Sequence, residues 1–496
     1  MTSSTVAGES RTRSKAPPTA VAPDDLRIFK RKPKRKRVQG YRPSPDLLPV
    51  LVDERTYASR RRRSHIDAAS LLVLVVVLIQ LLPSRLVVPD LTSVGRPGLL
   101  IGLLLAVWWM LSKLHPRLAM IGPQPMRWAF VVYLLTLLLS YAAGQFRGLP
   151  VLEANSADRA LLGALAFMGI VFMTADGVPT RERLDDVQRV LVYCTGINAL
   201  LGILQFVTKK DLTQNIVIPG LTLQGELVGL ADRGGGGLIR VAGTTGHFIE
   251  FSVVMAFAVP LGIHYARYAK TKLERRIFLV TTLVIAGSIP LALSRTGILA
   301  VGIALLCMWP AWNWRFRFNV LVVSVGLLAV LSVVRPGLLG TLRSLFSNAE
   351  DDPSIKGRTD DYAIVFQYAS ERPWLGRGTG TFIPELYRYL DNQWLMTLMN
   401  NGYLGIAGMV VLHFSGVFLA IIAFRRAENE VDRHLCAAIS AVPLIAALTG
   451  LTFDSFSFST FVVVLALQLG AAGAMWRFTH PARTTRGAAV GALQQR

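Results

Sequence analysis

Long apolar blocks separated by polar connectors make up most of this chain of 496 residues. The hydrocarbon core of a bilayer is about 30 Å thick, so a helix needs roughly 20 apolar residues to cross it, and only helices or closed barrels satisfy their backbone there. The blocks have helix length and predict an all-α, polytopic transmembrane bundle of about twelve helices. They lie at approximately 66–82, 97–114, 127–144, 159–175, 187–207, 249–268, 276–293, 296–313, 318–335, 402–424, 433–452 and 457–476.

Two connectors are much longer than a turn, at roughly 208–248 and 336–401. Connectors of that length commonly carry function. The first contains four consecutive glycines at 234–237, which suit a mobile lid or hinge. The second has amphipathic pieces at 359–370 and 384–401, the latter closed by Gly402, and these predict short helices lying on the outer surface.

The remaining polar segments lie at the two ends of the chain. Residues 1–64 are basic and lack apolar periodicity, so they predict a disordered tail. The predicted organisation is a basic cytoplasmic tail over 1–64, transmembrane helices one to nine over 65–335 with the outer loop 208–248, an extracytoplasmic helical loop over 336–401, transmembrane helices ten to twelve over 402–477, and a cytoplasmic tail over 478–496.

The basic residues indicate an orientation. With the basic tail inside, the connectors predicted to be cytoplasmic all carry arginine or lysine, whereas short opposite loops such as 453–456 carry few positive charges. The positive-inside rule then places both termini in the cytoplasm and both long loops outside. This topology accounts for the net charge of +22 without a nucleic-acid partner, and the tail is expected to touch anionic lipid headgroups.

Several kinds of chemistry lack their sequence signals. Cys194, Cys307 and Cys436 have neither paired nor metal-ligand spacing, so no disulfide and no zinc site is predicted. The glycine-rich stretch 376–380 follows no strand and opens no crossover unit, so it is not interpreted as a dinucleotide loop. There is no Walker, serine-hydrolase or Asp-x-Asp motif. We therefore expect neither a metal nor another cofactor.

Charged residues on the predicted outer face are candidates for chemistry. Arginines there run against the topological bias, and a guanidinium binds phosphate in a bidentate fork, so an outward arginine cluster predicts a site for a lipid-linked diphosphate. Anchoring in lipid headgroups is the alternative for Arg240 and Arg295, and a solvated loop position is the alternative for Arg358 and Arg377. The outer charges are Arg240, His247, Glu250, Arg295, Arg358, Arg377, Glu385, Asp391 and Asp454.

Three of these residues allow both a structural and a catalytic interpretation. On a helix that starts near Thr244, His247 and Glu250 share a face and form either an acid–base pair or a hydrogen-bonded helix cap. Thr244 or Thr245 with a nearby glutamate resembles a helix-start signature. Asp391 is either an N-cap or a general base that takes a proton from an acceptor hydroxyl.

Four segments in this order resemble the O-antigen ligase and Wzy-type polymerase superfamily of bacterial membrane glycosyltransferases. The resemblance covers residues 187–424 directly and the whole chain by helix count. The segments are Arg-Val-Ala-Gly-Thr-Thr-Gly-His-Phe at 240–248, Leu-Ser-Arg-Thr-Gly at 293–297, Gly-Arg at 357–358 leading to Arg-Pro-Trp-Leu-Gly-Arg-Gly-Thr-Gly-Thr-Phe at 372–382, and Asp-Asn-Gln-Trp-Leu at 391–395 ahead of Asn-Gly-Tyr-Leu-Gly at 401–405.

The resemblance implies transfer of a glycan from a polyprenyl-diphosphate carrier to a glycan or lipid-glycan acceptor, at the outer face of the bacterial inner membrane. It implies no metal and no nucleotide. Arg240 and Arg295 would bind the donor diphosphate and stabilise its developing charge, and Asp391 would be the catalytic base. Ligases that join O-antigen to lipid A core commonly have histidine at that position, so Asp391 favours a polymerase, or a ligase for another envelope polymer.

The same resemblance yields a wider set of substrate-binding residues. That set comprises Arg240, Arg295, Arg358, Arg377, His247 and Asn392. After His247 the family usually continues with proline and asparagine, whereas Phe248 and Glu250 differ from that pattern.

Two other classes of protein stay open. A lipid-linked oligosaccharide flippase, or another secondary transporter, would also bind diphosphates with arginines. Transporters usually have internal repeats and ionisable residues near the middle of the membrane, and neither is evident in this sequence. The third class is a non-catalytic subunit of polymer assembly.

Overall fold

The computed structural model describes residues 67–89, 95–114, 123–224, 239–334 and 353–481, together with positions 91, 337, 340 and 343. Side chains are described for these residues except 334 and 353–359. Most of the described chain is helical. The helices are α1 Ala68–Leu81, α2 Pro97–Ser112, α3 Pro125–Phe146, α4 Val151–Phe172, α5 Arg181–Thr208, α6 Phe248–Arg267, α7 Lys272–Ser288, α8 Arg295–Met308, α9 Trp314–Val334, α10 Pro353–Glu371, α11 Gln393–Arg426, α12 Glu430–Thr449 and α13 Ser459–Phe478.

A short antiparallel ribbon joins two of the connectors. Strand β1 (Leu86–Val87) pairs with β2 (Thr222–Leu223), with Leu86 opposite Leu223 and Val87 opposite Thr222. The ribbon holds the start of the long 209–247 connector against the α1–α2 connector. Both connectors therefore lie at the same end of the helices.

Each predicted apolar block is helical in the structure. Within the described residues, nine helices are long and apolar enough to cross a membrane, and α1, α2 and α8 are shorter apolar helices. This confirms the prediction of a helical, multi-pass membrane protein. The figure of about twelve spans and the orientation stay predictions. The tail over 1–64 and the glycines at 234–237 lie outside the described residues.

Polar caps and ion pairs concentrate at one end of the bundle, which we call the basic face. Helices α1, α5, α7 and α12 all begin there, each with an N-cap side chain that accepts a backbone N–H: Asp67, Thr180, Thr271 and Asn429. Arg183 is 2.6 Å from Asp67, and Arg181 is 2.9 Å from Asp432. These pairs tie α5 to the neighbours of its first turn. We call the opposite end the loop face; the connectors 289–294 and 450–458 and the described parts of the connectors 82–96 and 209–247 lie there.

Helices α6 and α13 form the centre of the bundle, since nearly all of their residues are buried. Glycines let neighbouring helices approach them closely, as is usual where the surrounding lipid gives no hydrophobic drive to association. A Cβ added at Gly470 of α13 would lie 2.4 Å from the Cβ of Thr174, and one at Gly262 of α6 would lie 2.3 Å from the Oγ1 of Thr282. Helix α9 is different, because none of its apolar span is buried among the described residues.

The segment before α11 differs from its prediction. Residues 384–392 are not helical, so the helix expected to begin at 384 begins at Gln393 instead. Gly402 does not close this helix. It has φ +63° and ψ −163°, and the helix resumes beyond it. The N–H groups of Tyr403 and Leu404, which follow Gly402, donate to the carbonyl groups of Pro373 and Trp374 at 2.7 and 3.2 Å. These bonds satisfy the backbone at the kink. The outer segment and the following span are therefore one kinked element.

Candidate functional site

A cavity of about 190 Å³ opens at the loop face, and we call it the charged cavity. Separate segments of the chain supply its walls: 240–249, 293–296, Asp391 and 453–458. It therefore brings together the three residues that the resemblance implies are catalytic. Its charged or ionisable residues are Arg240, His247, Arg295, Asp391 and Asp454.

The segment that carries Arg240 is held by buried amide side chains. Gly243 has φ +57°, and a Cβ there would lie 2.1 Å from the Oδ1 of Asn198, so only glycine fits this position. Its N–H donates to the Oε1 of Gln205 at 2.8 Å. The guanidinium of Arg240 lies 4.3 Å from the ring centre of Phe248, a cation–π contact. The cation is thus presented from a fixed backbone rather than from a mobile loop.

His247 is the N-cap of α6. Its Nδ1 accepts the N–H of Ile249 at 3.2 Å, so neither Thr244 nor Thr245 caps this helix. Burial lowers the pKa of His247 to about 4; the charge of Asp391 opposes this shift and that of Arg240 adds to it. The imidazole is therefore neutral near pH 7, and it structures the cavity wall without adding a positive charge.

Glu250 does not pair with His247. Its Oε2 accepts the N–H of Gly246 at 3.0 Å, and its Oε1 accepts the N–H groups of Thr460 and Phe461 at 2.9 and 3.2 Å. The N–H groups of Thr460 and Phe461 belong to the first turn of α13, where backbone donors have no acceptor within the helix. The acid–base pair considered for His247 and Glu250 is therefore wrong, because the carboxylate is engaged in joining α6 to the start of α13.

Arg295 is the first residue of α8. The Oγ of Ser294 accepts the N–H of Gly297 at 3.4 Å and caps the helix. A Cβ at Gly297 would lie 2.4 Å from the Cβ of Ser252, so α8 crosses the start of α6 very closely there. This close crossing brings Arg295 to the cavity that Arg240 also lines.

Asp391 is not an N-cap. The Oδ1 of Asn392 accepts the N–H groups of Trp394 and Leu395 at 2.9 and 3.1 Å and so caps α11. The Nδ2 of Asn392 donates to the Tyr362 hydroxyl at 3.2 Å, and Asn392 itself is buried. Asp391 is exposed and lines the charged cavity. The Asn392 cap thus fixes the start of α11, and Asp391 immediately precedes this fixed position.

Asp454 is a second carboxyl of the charged cavity that the sequence interpretation did not assign to the site. Burial raises its pKa to about 6, and the negative charge of Asp391 contributes to that rise. The only sequence signal was its position in a short outer loop. Nothing in that loop's composition indicates contact with a residue some 60 positions earlier in the chain.

A larger cavity of about 460 Å³ lies beside the first one, and we call it the polar cavity. Gln393 lines it, and the Oε1 of Gln393 accepts the N–H of Phe456 at 2.8 Å. The segments 391–393 and 453–459 therefore contribute to both cavities. The other groups of the polar cavity that can meet a ligand's polar atoms or ring faces include Arg96, Tyr133, Arg159, Glu385, Asn400, Asn401, Phe456 and Ser459.

Arg377, a further sequence-predicted arginine, lines neither of these two cavities. Arg377 donates to the hydroxyl of Tyr387 at 2.7 Å and lies 3.4 Å from Glu153, in a separate cluster. Arg358 belongs to α10, and its side chain lies outside the described residues. Both glycines that flank Arg377 have a positive φ, and Gly378, with φ +125°, packs against Gly144 of α3.

Comparison with models of protein families gives a match to part of the chain. Residues 277–410 match the family model described as O-antigen ligase. No curated protein matches the chain. The matched segment includes Arg295 and Asp391, while Arg240 and Asp454 lie outside it and reach the same cavity through the fold. Residues 277–410 therefore match an O-antigen ligase domain, and this match supports the O-antigen ligase and Wzy-type family that the motifs of the chain resemble.

Proposed function

We propose that this protein is a metal-independent glycosyltransferase of the bacterial inner membrane. It transfers a glycan from a polyprenyl diphosphate to an acceptor hydroxyl at the loop face, which the charge distribution directs away from the cytoplasm. The observation that carries the proposal is that Arg240, Arg295 and Asp391 line one cavity. They come from three distant parts of the chain, so their meeting is a product of the fold.

Arg240 and Arg295 bind the donor diphosphate. Guanidinium groups keep their charge at any physiological pH and match phosphate oxygens geometrically. As the bond between the anomeric carbon and the diphosphate breaks, negative charge grows on the leaving group, and fixed cations lower that barrier. A preorganised cationic hydrogen-bond donor of this kind lowers the activation free energy by about 3 kcal/mol in comparable sites.

Asp391 acts as the general base. The acceptor hydroxyl oxygen attacks the anomeric carbon, the carbon–oxygen bond to the diphosphate breaks, and the carboxylate takes the hydroxyl proton. The polyprenyl diphosphate leaves with the bonding electron pair, so charge and atoms balance. Attack from the side opposite the leaving group inverts the anomeric centre. Asn392 holds the start of α11 and so positions this base.

Sugar residues bind in the polar cavity. Its amides, serines, arginines and carboxylate supply both donors and acceptors, and Tyr133 and Phe456 supply ring faces. Within the described residues, the buried Nε of Arg96 and Oγ of Ser459 have no hydrogen-bond partner. Since such atoms are costly to bury unless they are bonded, they favour a polar ligand at this position.

Lipid-linked glycans from a strain that lacks this protein test the proposal and refine it. Accumulated single repeat units indicate a polymerase, whereas accumulated finished chains indicate a ligase. Complementation with Arg240→Ala and Arg295→Ala variants, each inserted at normal levels, is expected to fail. Normal glycan transfer by both variants would overturn the assignment.

A further inference from the structure

A third cavity, of about 340 Å³, lies at the basic face. Arg267 at the end of α6, Arg275 in the first turn of α7 and Arg315 in the first turn of α9 line it, with Phe316 and Asn313 beside them. It is at the opposite end of the helices from the proposed catalytic residues and takes no part in the transfer chemistry. We call it the arginine cavity.

The arginine cavity has an excess of positive charge. Among the described residues, none of its three arginines forms a salt bridge with a carboxylate. Glu274, the carboxylate next to Arg275 in the sequence, pairs with Arg189 instead. Three guanidinium groups that line one cavity without a carboxylate partner make that cavity a favourable place for an anion.

Arg267 provides an independent observation. Its guanidinium lies 4.5 Å from the ring centre of Phe316 and 5.4 Å from that of Tyr268, so the rings orient it. Its Nη1 is buried, and within the described chain that atom has no hydrogen-bond partner. A buried, charged donor is expensive to leave unbonded, and an anionic oxygen is its natural acceptor.

The surroundings of the cavity indicate what carries the anion. Leu279 of α7 lines the cavity and is 47% exposed, and along α9 Phe318 and Leu321 are 58% and 59% exposed. In a membrane these apolar surfaces face acyl chains. A ligand that joins an anionic head to apolar tails matches the whole site, whereas a free phosphate matches only the arginines.

We propose that the arginine cavity binds an anionic phospholipid. The phosphate lies between Arg267, Arg275 and Arg315, and the acyl chains lie along α7 and α9. Basic pockets between transmembrane helices on the cytoplasmic side are suited to such headgroups, and this is the face that the positive-inside rule assigns to the cytoplasm. Because α9 buries so little of its surface against the protein, the lipid also holds α9 beside α7.

The test uses the full-length protein, purified in detergent and incubated with phosphatidylglycerol or phosphatidylcholine. Retained lipid is counted by mass spectrometry of the intact protein. We expect preferential retention of phosphatidylglycerol, and about a tenfold or greater loss of it in the R275A/R315A variant, since each basic residue near a headgroup contributes measurably. The matched control, R276A/R425A, removes two exposed arginines outside the cavity and is expected to bind like the wild type.

Three results would overturn the inference. They are equal retention of the two lipids, equal loss in both double variants, and complete displacement of phosphatidylglycerol by inorganic phosphate at millimolar concentration. The last result would assign the cavity to a soluble anion. None of these outcomes depends on glycan transfer, so the lipid site and the proposed enzyme succeed or fail separately.

Discussion

The carboxylate of Glu250 accepts the backbone N–H of Thr460 at 2.9 Å, across 210 residues of chain. This bond attaches the first turn of α6 to the first turn of α13. The segment with Arg240 precedes α6, and the loop with Asp454 precedes α13. One buried carboxylate therefore holds together two walls of the charged cavity.

Replacing Glu250 with alanine is expected to destabilise the protein. Two buried N–H groups, of Thr460 and Phe461, and the partly buried N–H of Gly246 would lose their acceptor, and an unsatisfied buried donor costs about 1–3 kcal/mol. Thermal unfolding of the purified variant in detergent measures this effect. Glu371→Ala, at the exposed last residue of α10, is the control and should change the stability by less than about 0.5 kcal/mol. Equal melting temperatures for the two variants would show that the carboxylate bridge contributes nothing.

Arg240→Ala and Arg295→Ala should each lower glycan transfer by about a hundredfold or more, because each removes a fixed cation from the leaving diphosphate. Transfer is measured in membranes with lipid-linked glycan extracted from the deletion strain, normalised to the amount of inserted protein. Arg377→Ala is the contrast, since that side chain pairs with Tyr387 outside the cavity. An equal loss in Arg377→Ala would place the diphosphate elsewhere.

Asp391→Asn should lower the turnover number by about a hundredfold or more while the donor still binds, since the amide keeps the shape but takes no proton. Single-turnover transfer and retention of the radiolabelled donor measure the two effects. Asn392→Ala should act differently, with a loss of about 1 kcal/mol of stability through the missing cap of α11. Unchanged turnover in Asp391→Asn would favour a non-catalytic assembly subunit over an enzyme.

Asp454 makes folding stability depend on pH. Its pKa is about 6 in the folded protein against an ordinary value of 3.8, so the folded state holds the proton more tightly. The contribution of this tighter proton binding to the free energy of unfolding is greatest below pH 4 and declines as the pH rises to about 6. Melting temperatures of the wild type and Asp454→Asn, compared across this range, isolate it: the variant's relative stability should rise with pH. A constant difference would mean that burial does not perturb this carboxyl.

Gly402→Ala should disrupt the kink of α11. The position has φ +63°, and a Cβ there would lie 2.4 Å from the carbonyl carbon of Trp374, so neither the backbone nor the neighbour can adjust cheaply. We expect a loss of stability well above about 1 kcal/mol, together with reduced transfer, because Asp391 lies at the start of the same helix. Gly302→Ala in α8 is the control; a Cβ there meets no atom within 4 Å. Equal melting temperatures would refute the argument.

Much of the fold is predictable because crossing a bilayer imposes a simple length rule on the sequence. Each apolar block is long enough to form a helix that satisfies its own backbone hydrogen bonds, so the helix does not depend on distant contacts. The resemblance to the O-antigen ligase and Wzy-type superfamily, from which Arg240, Arg295 and Asp391 were predicted as site residues, likewise used short local motifs. These features needed no knowledge of which helices touch.

Tertiary packing decided the rest. That Gly402 kinks a helix instead of ending one, and that Asp454 joins the charged cavity, depend on contacts between residues far apart in the chain. Asn392, which caps α11 in place of Asp391, also bonds to Tyr362, 30 residues earlier in the chain. Local propensity cannot distinguish two neighbouring cap candidates or locate a partner carbonyl on another segment. The apolar sequence pattern by itself determined that helices form and approximately where. The close crossing of α6 with α8 and the hydrogen bonds from α6 to the start of α13 decided which polar ends meet. The physical reason is that a polar group buried at a helix end is stable only where another segment satisfies it.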